Sequence, residues 1–146
     1  MGAGSVSNYS ERKLQQALHQ ARFYTQKAPS SGHGILDPET EEYIDQADIV
    51  AIRADPMISQ YEGHISQVLL IEEKHVQPPT CQILDHEKQM LERIEEITGG
   101  TGLIAVKWKH QQGDHLFFHI QDLIDTGKHW KITEETSGMV LDDVIS

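Results

Sequence analysis

LLIEEKH, residues 69–75, is an apolar run that ends in two glutamates, a lysine and a histidine. As a strand it has a side-chain period of two, so Glu72 and Lys74 continue the face of Val68 and Leu70, and Glu73 and His75 continue the other. A carboxylate at the margin of a buried face costs on the order of several kcal/mol unless it is paired, hydrogen-bonded or holding a metal. A second run, ADIVAIR at 47–53, is apolar on both faces and reads as a central strand, with Asp48 at its start. If the two strands pair, Asp48 and Glu72 converge at one end of a sheet with Lys74 beside them. Two convergent carboxylates suit Mg²⁺, a hard ion that takes oxygen ligands and keeps waters for a phosphate substrate. A neighbouring lysine can orient or help deprotonate the attacking water and counter charge on the phosphate. Taken alone, Glu-x-Lys at a strand end is common as a solvated face or simple ion pair, so its company matters.

The remaining chain sets limits on that chemistry. Its 146 residues, 38% hydrophobic, suffice for one packed domain over 1–146, with 1–7 expected to be flexible. No apolar run reaches the roughly 18–20 residues of a membrane span, and MGAGSVS lacks a signal-peptide pattern and, with Val6, a myristoylation pattern. A soluble protein that stays inside the cell, with no membrane partner, is expected. The single cysteine, Cys81, excludes an intrachain disulfide and reads as a small apolar residue. A net charge of −11 opposes casual contact with nucleic acid. Yet no acid lies between Arg12 and Leu36, where Arg12, Lys13, Arg22 and Lys27 stand, or between Ile97 and Gly113, where Lys107 and Lys109 stand. The acids gather at 37–48, 85–96 and 134–143, a coat suited to high salt and equally to an ordinary acidic cytosolic protein.

Periodicity supplies the other elements. Leu14, Ala17, Leu18 and Ala21 recur at helical spacing, and Asn8 with Glu11 fits a capping box opening a helix at Asn8–Arg22. KAPSSGHGILDPE (27–39) reads as loop, in which Ser30 and Ser31 would ordinarily be turn residues. DHEKQMLERIEEITGG (85–100) reads as a second helix stopped by Gly99 and Gly100. GLIAVKWKH and HLFFHI make a strand pair around QQGD, HWKI a short strand, and MVLDDVI a closing turn of helix. Trp108, Trp130 and the LFF triplet read as core or dimer-interface anchors rather than base-stacking platforms.

In this order the motifs resemble the archaeal Holliday junction resolvases of the Hjc type, within the PD-(D/E)xK nuclease superfamily. The resemblance covers about Ser5 to Ile145: SERKL (10–14) is similar to the family's first-helix segment, QKAPSSG (26–32) to its basic residue and Ala-Pro-x-Ser-Gly loop, ADIVAI to its Asp strand and LLIEEK to its Glu-x-Lys strand. ITGGTGLIAVKW (97–108) and the tail 127–145 also match in shape. The resemblance implies an α/β, restriction-endonuclease-like fold with a central mixed β-sheet flanked by helices. It further implies a Mg²⁺-dependent endonuclease, with Mn²⁺ able to substitute, that nicks four-way DNA junctions in pairs as a homodimer in recombination and repair. Glu11, Asp48, Glu72, Lys74 and Ser31 carry over as catalytic, Asp48, Glu72 and Glu11 as metal ligands, and Arg12, Lys27 and Ser31 as DNA-binding residues. The cytoplasm of an archaeal cell, or of a virus-infected one, is the implied location.

The chain departs from the family pattern in two places. Ala47 stands where the superfamily name has proline, and Glu73 occupies a usually aliphatic place, so the far face of its strand is wetter or an extra acid perturbs the site. Three rivals are another PD-(D/E)xK endonuclease, a non-catalytic DNA-binding module of the same fold, and a histidine metal protein built on His110, His115 and His119. The last is weak, because four residues along a strand set His115 and His119 about 13 Å apart, too far for one zinc.

Overall fold

Strands Ile49–Ala54 (β4) and Ile65–Val76 (β5) pair antiparallel with Ile49 opposite Ile71, the register that the two apolar runs require to share both faces. The computed structural model describes residues 2–27, 35–44, 47–54 and 65–145. Tyr24–Lys27 (β1) adds to the outer side of β4, and Thr101–Trp108 (β7) and Leu116–His119 (β8) complete a five-stranded sheet in the order β1-β4-β5-β7-β8. The sheet is mixed: β5 and β7 run parallel, all other pairs antiparallel. A parallel pair needs a long crossover. Here it holds Thr80–Ile83 (β6) and helix Asp85–Thr98 (α2), which ends where Gly99 takes a left-handed φ of 75° and donates its N–H to Glu95 O. Ile35–Leu36 (β2) pairs with Tyr43–Ile44 (β3), and Ile124–Asp125 (β9) and Trp130–Thr133 (β10) join β6 in a three-stranded sheet. Helix Leu141–Ile145 (α3) closes the described chain.

Alternation along the central strands divides the core. Leu70, Ile104 and Val106 meet Leu91 and Ile94 of α2 on one side. Leu69, Ile71, Leu103 and Ala105 meet Leu14 and Leu18 of helix Gly2–Gln20 (α1) on the other. Cys81 is buried in the first cluster, where burial pushes its thiol up to about 11, in keeping with a small apolar role. Trp108, Phe117 and Phe118 are core residues; Trp130 is half-buried, donating its indole N–H to Asp85 under the Lys88 ammonium.

Two sequence expectations change. Helix α1 starts at Gly2, so Asn8 lies within it rather than capping it, and residues 2–7 continue it; nothing there interrupts a helix as proline would. The stretch read as loop from Lys27 starts with the end of β1 and includes β2. Ser30 and Ser31, and the β4–β5 connection with Asp55, Pro56 and Gly63, lie outside the described residues.

The face of β5 beneath α1 carries Glu73, and the structure shows how a carboxylate is tolerated there. Ser10 Oγ of α1 donates to Glu73 Oε2 at 2.5 Å, and His115 Nε2 lies 2.8 Å from the same oxygen and 3.2 Å from Ser10 Oγ. Ser10 is 0% and His115 3% exposed, so the surroundings of Glu73 are dry, and the extra acid is met by partners from α1 and the residue preceding β8. The cluster ties α1 to the sheet. Removing one partner leaves the carboxylate buried and short of a donor, which costs more than replacing the whole group. His115→Leu is expected to lower stability by about 3 kcal/mol in denaturant unfolding, and adding Glu73→Leu to recover most of it. Additive losses in the double variant would contradict a coupled cluster.

Candidate active site

The β4–β5 register sets Asp48, one residue before Ile49, across from Glu72, one residue after Ile71. Each carboxylate accepts a hydrogen bond from the opposite strand: Asp48 N donates to Glu72 Oε1 at 3.2 Å, and Glu73 N donates to Asp48 Oδ2 at 3.0 Å. The two acids are thus held side by side at the place where the strands come together. Burial raises the Asp48 pKa, with the charges of Glu11 and Glu73 adding to it against the Glu73 N–H and Lys74. Burial, then the charges of Asp48 and Glu87, push Glu72 up to about 8.

Lys74 lies two residues along the same face, and its Nζ donates to Glu87 Oε2 at 2.7 Å. Burial alone would lower the Lys74 pKa, but the hydrogen bond and charge of Glu87, with the charge of Glu72, outweigh it and hold the ammonium above its ordinary value. Lys74 is therefore a fixed cation and hydrogen-bond donor rather than a base at neutral pH. Glu87 in turn is fixed by its place in the first turn of α2, where Oε1 accepts the Leu84 N–H at 2.9 Å. Burial opposes ionisation of Glu87, but Lys74 and that N–H prevail and its pKa falls.

Glu11 lies on the flank of α1 that faces β1, where its Oε2 pairs with Lys27 Nζ at 2.7 Å. Its charge reaches Asp48, as the shift there records, but its near partner is Lys27. The structure therefore sets Asp48 and Glu72 side by side, with Lys74 within reach of their charge and held by Glu87, and adds Glu11 with Lys27 beside them. Arg12 is exposed and lines a shallow groove on α1 with Tyr9, Lys13 and Gln16 instead. Ser31 falls outside the described residues.

Among the described residues no group of three histidine, cysteine, aspartate or glutamate side chains is gathered closely enough to hold a metal ion. The donor set that does converge is the Asp48–Glu72 pair. It fits Mg²⁺ well: hard oxygen donors, two carboxylates, and like charges brought together in a half-buried place that disfavours their ionisation without a counter-cation. His115, engaged with Glu73 and Ser10, is no part of a histidine metal centre.

Sequence reading missed Glu87, although a glutamate three residues after Leu84 carried the local signal of a helix start. It also missed the two-pronged bond of Arg93 to the buried Asp37, with Nε and Nη2 each 2.7 Å from a carboxylate oxygen, which clamps the β2–β3 turn to α2. The Arg93 hydrogen bonds hold Asp37 far below the usual carboxylate range.

The family model described as Archaeal Holliday junction resolvase (Hjc) matches residues 5–146. A crystal structure of Hjc, a Holliday junction resolvase from the archaeal hyperthermophile Archaeoglobus fulgidus, is similar with a TM-score of 0.71 and 22% sequence identity, over 95% of this chain and 99% of that one. That likeness identifies the fold as the PD-(D/E)xK type. No curated protein sequence matches the chain.

The raised Glu72 pKa has a consequence for stability. A carboxyl that keeps its proton up to about 8 when folded, but only to its ordinary value when unfolded, makes the folded chain bind more protons between those limits. In EDTA, stability should therefore rise as pH falls from about 8.5 to 7, and Glu72→Gln should flatten that slope. Thermal melts that fall over the same interval in the wild type would contradict it.

Proposed function

The chain belongs to the archaeal Holliday junction resolvase family, and on that premise we propose that it nicks four-way DNA junctions in pairs through the Asp48–Glu72–Lys74 constellation, with Mg²⁺ and as a homodimer. Family membership makes it a DNA endonuclease of recombination and repair. The observation that carries the site assignment is the crosswise Asp48–Glu72 arrangement, two carboxylates held together in a place that opposes their charge.

Asp48 and Glu72 would hold the Mg²⁺, or Mn²⁺ in its place. When bound, such an ion polarises a scissile phosphate and lowers the pKa of a coordinated water. The chain's own side chains do the rest. Lys74 keeps its proton and offers an ammonium to the attacking water or a phosphate oxygen, where charge builds as the phosphodiester opens. Glu87 restricts that ammonium to the end of β5, so Lys74 enters the reaction already oriented. Glu11 and Lys27 flank the pair, Glu11 adding negative potential at Asp48, and Lys27, Arg12 and Ser31 are the residues proposed to contact the DNA backbone. A two-fold dimer would offer two such sites to a two-fold junction, which makes paired nicks on opposing strands geometrically natural. The proposed setting is the cytoplasm of an archaeal cell, or of one infected by a virus; no described helix is long and apolar enough to cross a membrane.

Asp48→Asn and Lys74→Ala should each reduce single-turnover cleavage of an immobile junction by at least about 100-fold. Junction affinity measured in EDTA should change by less than about threefold, because neither side chain is assigned to backbone contact outside the reaction. Variants that cut as fast as the wild type would sink the site assignment.

A further inference from the structure

A chain of net charge −11 repels DNA at long range, so any seat for a phosphate backbone has to be built from locally gathered cations. The two acid-free windows of the sequence supply them. Lys13 and Lys107 are 94 positions apart in number, 107 − 13, yet α1 lies over β7 and brings them to one open cavity of about 390 Å³. Tyr9, Lys13, His75, Lys107 and His110 line it, and the groove formed by Tyr9, Arg12, Lys13 and Gln16 continues it along α1. A water takes up about 30 Å³, so the cavity admits a phosphodiester together with its hydration.

The charges in this groove are held together against their own repulsion. The Lys107 pKa is lowered first by burial and then by Lys13, with Asp114 at the margin opposing. The His75 pKa is lowered by burial and by Lys109, Lys107 and His115 against the pull of Glu73. Lys107 Nζ donates to the carbonyls of Gln111 at 3.1 Å and Gly113 at 2.8 Å, which anchors the ammonium at the β7–β8 turn while its third N–H remains for an anion. Tyr9, 61% exposed, adds a phenol of the kind that donates to phosphate oxygens.

Position ties the groove to the reaction. His75 immediately follows Lys74 on β5, and β7 is the next strand over, one interval of about 4.8 Å. Lys74 faces α2 and His75 faces α1, so the groove opens toward the same end of β5 as the carboxylate pair but on the α1 side of the sheet. We propose that this groove, centred on Lys13 and Lys107 with Tyr9 and His75, seats backbone phosphates of a junction arm on the α1 side of the sheet. The proposal rests on the resolvase reading above. It adds Lys13, Lys107, Tyr9 and His75 to Arg12, which lines the same groove, and it explains how an acidic protein holds a polyanion without a basic surface overall.

The test is junction binding by the full chain in EDTA, followed by fluorescence anisotropy from low to moderate KCl, for wild type, Lys13→Gln, Lys107→Gln, Lys107→Arg and the distant, exposed Lys128→Gln. Each lysine-to-glutamine change in the groove should make the log–log salt slope shallower by about 0.9 and weaken binding, since one phosphate contact is lost. Lys107→Arg should restore the slope, and Lys128→Gln should match the wild type. In Mg²⁺ the cleavage deficit of the groove variants should be overcome by raising protein concentration, as a binding defect is and a catalytic one is not. If Lys107→Gln fails to fold, Lys13→Gln on the outer helix flank carries the test alone. Wild-type slope and affinity in Lys13→Gln, with the wild type cutting junctions, overturns the groove and leaves the resolvase reading standing. A wild type that neither binds nor cuts junctions overturns both.

Discussion

Two carboxylates meet where β4 and β5 come together, and the surrounding structure is arranged about their charge. Asp48 and Glu72 are fixed by backbone N–H groups from each other's strands, so neither can swing away to solvent without giving up that hydrogen bond. Holding two acids so close in a half-buried place is unfavourable for the isolated chain, and the raised Asp48 and Glu72 pKa values are that cost in another form. A bound divalent cation would remove it. The site thus stores a preference for a cation in the fold itself, at the mouth of a sheet whose remaining strands are tightly packed.

Each neighbouring element supplies one correction to that charge. Helix α2 contributes Glu87, which holds the Lys74 ammonium in place, and α1 contributes Glu11, itself balanced by Lys27 from β1. On the far face of β5, Glu73 is satisfied by Ser10 and His115, and this buried cluster sets the seat of α1 relative to the strand that carries Glu72 and Lys74. Ser10 directly precedes Glu11, and Glu73 lies between Glu72 and Lys74. A residue that departs from the family pattern is therefore coupled, through its backbone N–H and its side chain, to the elements that form the site.

How much of this was legible in the sequence follows from the range of each interaction. The central strands were legible because ADIVAIR and LLIEEK are apolar on both faces, and their pairing placed Asp48 opposite Glu72 as expected. Helix α2 was legible from its periodicity and its glycine stop. Strand β1 was not, since YTQK is mostly exposed and shows no alternation to separate it from loop. Strand β6 alternates exposed and buried residues over only four positions and β9 has two, so both take their identity from pairing with β10. The capping box at Asn8 failed because the helix continues upstream through Gly2–Ser7, residues of mostly low helix propensity that give no local sign of it. Ser10–Glu73–His115 carried no local signal at all: its members are 63 and 42 positions apart, and only the folded sheet unites them.

The central claim is that the Asp48–Glu72 end of the sheet cuts four-way junctions with a divalent cation. The most direct measurement maps the cuts on an end-labelled immobile junction, beside a linear duplex of the same sequence, in Mg²⁺ or EDTA. Paired, symmetric nicks in the junction alone, present in Mg²⁺ and absent in EDTA, are the expected result. Cutting of the linear duplex at a similar rate, or nicking that persists in EDTA, would contradict the account.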